Sequence, residues 1–265
     1  MNQSGKTGGV IQRYTLPSLT LDTSFFIPSV INSTDGGYVM AMAVAPGDPH
    51  TIAVSRALGP VAAGIVVFDD SVQRGSAILD TRDGLHYFSS LQWGTNASTL
   101  YSSSYFSPGE YLAMSVDAGG PTILNDSPQV LTLGGHDIHL VPSTGKMYVG
   151  NGQVLETSTG QIVGACGAGW AGMVPDPTLG IGFFMEQNHQ QSDGGYGVQL
   201  HSYNLTTYAA ISSTTVPILI IPNITPFNPT RILRCGPSML ALGGSVAGGG
   251  SGNICILSGP FVQGK

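Results

Sequence analysis

The residues best suited to chemistry in this chain sit in two short polar stretches. One is GGHDIHL (134–140), with His136, Asp137 and His139, and the other is MEQNHQQSDGG (185–195), with Glu186 and His189. Imidazole and carboxylate groups in one place suit general acid–base work or metal binding. Period-two alternation in an extended strand puts Asp137 and His139 on the same side. His86 precedes another apolar run in the way His136 precedes its own. If the fold brings these segments to one mouth, His136, Asp137, Glu186 and His189 are the candidate catalytic groups. The candidate metal ligands are His86, His136, Asp137, His139, Glu186 and His189. Such a set would take zinc, or calcium if oxygen donors dominate, and the metal would polarise a carbonyl or phosphoryl oxygen. The spacing alone matches no metal motif.

Other tempting groups read more simply. Asp69 and Asp70 are adjacent where an apolar run meets a turn, and Asp is a turn former that bonds its own backbone. GSVAGGGSG (244–252) lacks the Lys-Ser/Thr of a phosphate loop. No G-x-S-x-G elbow occurs. Asp176, a third carboxylate for a glycosidase-like site, lies in a PDP turn. The cysteines Cys166, Cys235 and Cys255 are an odd number and read as small buried hydrophobes, with a Cys235–Cys255 bridge as the alternative. Trp93, Tyr105, Phe106, Trp170, Tyr196 and Tyr208 could bind sugars or polymers if exposed; Trp93 and Trp170 read as core.

The elements that must position these groups are short strands. Five segments share one shape, an apolar strand, a Pro- or Gly-rich turn and a second apolar strand. They are 40–55, 90–103, 138–150, 172–186 and 232–243, and a third strand follows each, at 64–68, 110–116, 152–155, 198–203 and 253–257. The second strands recur about every 47 residues, near the ~40–50 of a propeller blade. Radially packed sheets bury each other's faces and leave short edges. No apolar helical period is sustained over three turns. The fold expected is a single all-β domain over residues 1–265, a β-propeller of five, alternatively six, four-stranded antiparallel blades. The blades fall at 38–81, 86–128, 130–168, 170–219 and 230–262. Residues 1–9 form a tail, and the strand or strands in 10–29 supply the outer strand that closes the ring.

Composition narrows the partners. Of 265 residues, 42% are hydrophobic and only 9% charged, against roughly 25% charged in an average soluble domain. The net charge is −6 with nine basic residues spread thinly. There is no basic stripe, which argues against nucleic acid. No apolar run approaches the roughly 20 residues of a membrane helix. Residues 1–9 are polar and carry no signal-peptide pattern.

AVAPGDPHTIAVS (43–55) followed by GIVVFDDSVQR (64–74) resembles a blade of the YVTN and lactonase-like propellers of secreted bacterial proteins. GQVLETSTGQIVG (152–164), MVPDPTLGIGFFM (173–185) and the pair 232–243 with 253–259 resemble further blades of that type. These motifs cover most of the chain from residue 40 onward and describe turns and strand cores. They carry no catalytic signature. The sequence departs from the pattern in two ways. Cys235 stands where Trp is common, and one or two leading blades are missing. The resemblance implies an extracellular or cell-surface module that binds a small molecule, glycan or protein at one propeller face. An unpaired blade edge would offer a route to homo-oligomers. The alternative it implies is a hydrolase of esters, lactones or phosphotriesters, with a zinc or calcium ion in the central channel.

Overall fold

The structure is a computed structural model that describes residues 9–27, 38–58, 61–78, 88–104, 109–132, 137–167, 172–190, 196–216, 227–246 and 252–264. These residues form strands and one 3-10 turn at Phe261–Gln263. Among them no helix is long and apolar enough to cross a membrane. The chain divides into two compact units, Met1–Leu131 and Thr132–Lys265.

The first unit opens with β1 (Val10–Thr15) and β2 (Thr20–Phe26), an antiparallel pair. Its first blade is β3 (Tyr38–Ala45), β4 (Asp48–Leu58), β5 (Val61–Asp69) and β6 (Val72–Gln73), hydrogen-bonded in that order. The second is β7 (Phe88–Trp93), β8 (Thr99–Ser104), β9 (Gly109–Asp117) and β10 (Gly120–Leu131), again in simple meander order.

The second unit holds three more sheets. The third blade is β11 (Ile138–Val141), β12 (Lys146–Val149), β13 (Gln153–Glu156) and β14 (Ile162–Ala165). The fourth is β15 (Gly172–Asp176), β16 (Ile181–Gln190), β17 (Tyr196–Asn204) and β18 (Ala210–Val216). The fifth is β19 (Phe227–Arg234), β20 (Met239–Val246) and β21 (Gly252–Ser258), three strands among the described residues.

All five repeats read from the sequence are therefore the first three strands of a sheet. The chain after the third strand supplies a fourth, β6, β10, β14 or β18, in four of the five sheets among the described residues. The inner turns explain part of the repeat. Gly145 (φ 66°) in STG and Gly180 (φ 67°) in TLG are left-handed, a conformation that a side chain disfavours.

Alternation decides what each face packs against. In the first unit, Ala53, Ile65 and Val67 point to the second blade and join Leu91, Trp93, Leu100, Leu112 and Met114 in one core. Their neighbours Val54, Val66 and Phe68 point the other way. They pack with Ile11, Phe25 and Ile27 of the β1–β2 ribbon. In the second unit, Tyr148 and Val154 of the third blade pack on Met173, Phe184 and Tyr203 of the fourth. The fourth blade's opposite face, with Phe183, Met185 and Leu200, packs on Ile232, Leu240 and Leu242 of the fifth.

In the first unit β1 is hydrogen-bonded to β2, with Val10 opposite Phe26 and Thr15 opposite Thr20. The pairing is local, so little chain entropy is lost in closing the loop. The ribbon packs Ile11, Phe25 and Ile27 against Val54, Val66 and Phe68 of the first blade.

Candidate functional site

Asp137 immediately precedes β11, the first strand of the third blade, and His139 is its second residue. Arg231 lies on β19, the innermost strand of the fifth. Its guanidinium Nη1 donates to Asp137 Oδ1 as an ion pair. Between these strands β15 begins at Gly172, where an added Cβ would stand 3.4 Å from Asp137 Oδ2 and 3.5 Å from Ile232. Those distances are ordinary van der Waals contacts, so the start of β15 packs directly beside the pair.

The two partners differ in exposure. The Arg231 side chain is 61% exposed and that of Asp137 19%. Arg231 uses one of its donors on Asp137 and turns the rest of the guanidinium to solvent. His139 is half-buried, and its Nε2 atom is buried with no hydrogen-bond partner among the described residues. Burial pushes its pKa below the ordinary value of 6.5, against the attraction of Asp137 and with the repulsion of Arg231. His139 is therefore held as a neutral imidazole at neutral pH. A buried polar atom left unpaired costs about 1–3 kcal/mol.

The other predicted groups fare differently. Glu186 on β16 is turned toward His201 on β17, with Oε2 3.0 Å from Nε2, and this partner was not anticipated. His189 pairs through its backbone with Gly197, beyond an irregularity in the β16–β17 register. Its side chain lies outside the described residues, as do His86 and His136. Among the described residues no three His, Cys, Asp or Glu side chains gather closely enough to hold a metal ion. Asp137 and His139 supply two donors there, whereas a zinc site draws on three or four protein ligands.

Arg231 is the residue that sequence reasoning missed. Its signal was weak, one of two arginines in β19, because its partner is 94 residues away. The bland readings hold elsewhere. Asp69 accepts from Thr51 and Arg74, while Asp70 turns to His50 and Arg13. Asp176 caps its own turn through Thr178 and Leu179 and accepts from Arg234 Nε at 2.8 Å. Trp93 is core, 2% exposed. Tyr208 is half-buried, its hydroxyl accepting from Lys146. Trp170, Tyr105 and Phe106, and the side chain of Tyr196, lie outside the described residues. Cys166, Cys235 and Cys255 are all free thiols, so the bridge weighed for the last two is not formed.

No family model and no curated protein matches the sequence. Solved structures do. The WD40 repeats of RRP9 superpose with a TM-score of 0.57 at 11% identity, over 89% of this chain and 67% of that one. Sqt1 from Chaetomium thermophilum follows at TM-score 0.49 and 13% identity, over 78% and 66% of the two chains. Dihydro-heme d1 dehydrogenase NirN gives 0.49 and 12%, over 88% and 49%. The chain spans about two thirds of the first two and half of the third. At 11% identity the likeness to the RRP9 repeats concerns fold alone, and with the five sheets described above it makes this chain an all-β propeller of five small antiparallel blades.

Proposed function

We propose that the protein is an extracellular binding module whose ligand engages Asp137, His139 and Arg231 at the inner-strand ends of the second unit. One observation carries the reading. An exposed guanidinium, held in place by Asp137, stands beside a buried imidazole nitrogen that lacks a partner. A ligand carboxylate would take the open donors of Arg231 in the paired geometry that guanidinium favours. A ligand N–H or O–H would satisfy His139. A protein segment carrying an acidic side chain offers both from its side chain and backbone. The low charge and Ser/Thr/Gly-rich surface support the extracellular setting, as does the likeness to YVTN-type repeats.

A random peptide library selected on the native protein and on Arg231→Ala tests this. The native protein should enrich acidic peptides and the variant should not. Identical selections, or no enrichment by either, would overturn the proposal.

A hydrolase is the second reading, favoured by one feature, a neutral His139 beside a carboxylate, the form needed in a general base. Screening ester, lactone and phosphotriester substrates with and without chelator decides it. Turnover abolished by His139→Ala would favour the enzyme. Absence of turnover would remove this reading.

A further inference from the structure

A separate cavity lies wholly within the first unit, between the β1–β2 ribbon and the first blade. Its volume is about 250 Å³. Ile11, Tyr14, Phe25, Met42 and Val44 form most of its wall, and Arg13, His50 and Asp70 form its polar rim. A dry cavity of about 150 Å³ is enough for benzene, so this one admits an aromatic ring with a substituent. Two aromatic side chains and a methionine suit such a ring, since ring pairs and sulfur–ring contacts are favourable beyond the area they bury. The wall is not closed over: Met42 is 60% exposed and Val44 57%.

The rim is rigid and directional. Asp70 sits in a left-handed conformation (φ 50°) and its N–H donates to the His50 carbonyl at 2.7 Å. Its carboxylate Oδ1 lies 2.9 Å from His50 Nδ1 and 2.8 Å from Arg13 Nη1. Arg13 is also held by Asp22 at 2.5 Å and by the Pro49 carbonyl at 3.0 Å. The carboxylate fixes the imidazole with its proton on Nδ1, which leaves Nε2 as an acceptor with no partner among the described residues. Two carboxylates, Asp22 and Asp70, hold the single guanidinium of Arg13, so the rim repels anions.

We infer that this cavity binds a phenol, with the ring against Tyr14, Phe25 and Met42 and the hydroxyl donating to His50 Nε2. The chemistry is shared by a free phenolic molecule and a tyrosine side chain of another protein. The proposal is independent of the site at Arg231.

The test titrates the full chain with 4-methylphenol, toluene, 4-methylbenzoate and N-acetyl-tyrosinamide, following the backbone amide resonances of Arg13, Tyr14, Met42 and His50. The expected result is saturable shifts with 4-methylphenol, at an affinity about tenfold above toluene, the worth of one hydrogen bond, and none with 4-methylbenzoate. Binding of N-acetyl-tyrosinamide as well assigns the site to a tyrosine side chain. Its exclusion assigns a free phenol. His50→Phe, which keeps a ring at the rim, should bring 4-methylphenol down to the level of toluene, and Val44→Trp should fill the cavity and abolish both. No saturable shift with any probe, equal affinity for toluene and 4-methylphenol, or an unchanged preference in His50→Phe would overturn the proposal.

Discussion

The indole Nε1–H of Trp93, on the second blade, donates to the main-chain carbonyl of Ala43, on the first, at 2.9 Å. This bond joins the same two sheets as the buried Ser55 hydroxyl, which donates to the Phe88 carbonyl. Trp93→Phe keeps a ring in the core but leaves the carbonyl unpaired and a void behind. The expected loss is about 1–3 kcal/mol, read as a lower denaturation midpoint with an unchanged slope. An unchanged midpoint would show that water replaces the indole.

Gly164 and Tyr208 are equally close. An added Cβ on Gly164 would overlap the Tyr208 ring, whose hydroxyl accepts from Lys146 Nζ at 2.7 Å. Gly164→Ala should therefore displace the ring and cost about 1–3 kcal/mol, as overpacking does. Gly164→Ala combined with Tyr208→Ala should cost less than the sum of the two, because the clash is then absent. Thermal denaturation of the three variants measures this.

The buried Nε2 of His139 makes stability depend on pH. Its folded-state pKa is depressed by burial, so below about pH 6.5 the unfolded chain binds a proton that the folded chain refuses. The unfolded state then holds more protons, and stability rises with pH across that window. Native protein should lose stability as pH falls from 7 to 5, and His139→Leu should lose less over the same range. Parallel pH profiles would show that His139 does not govern this window. The carboxylates with lowered pKa values, Asp48, Asp69 and Asp70, act lower, where stability is lost as pH falls below their ordinary 3.8.

Cys166 is buried and its thiol is pushed up to about 11 by desolvation. The thiolate is the reactive form, so Cys166 should resist alkylation at pH 8 in the folded protein. Cys235 and Cys255 are half-buried and should react before it. Mass spectrometry after brief alkylation reads the order, and equal labelling of all three would contradict it.

Much of the architecture was legible in the sequence because it is local. Strand alternation, left-handed glycines at STG and TLG, and a spacing of one blade repeat are properties of 10 to 50 neighbouring residues. The same locality made Asp70 and Asp176 readable as turn residues. The N-terminal ribbon was not readable, since Val10–Thr15 has the pattern of any half-buried strand. Which strand it pairs with depends on the face its apolar side chains find.

What the sequence by itself determined is therefore the unit, a short antiparallel sheet with two apolar faces, repeated five times. What only the tertiary structure decided is which distant side chains meet. Arg231 reaches Asp137 across 94 positions, Glu186 is drawn to His201, and His50 and Asp70 are set at the mouth of a cavity made by the ribbon. The reason is physical: hydrogen-bond periodicity is written in adjacent residues, whereas an ion pair or a cavity exists only once separate sheets have packed.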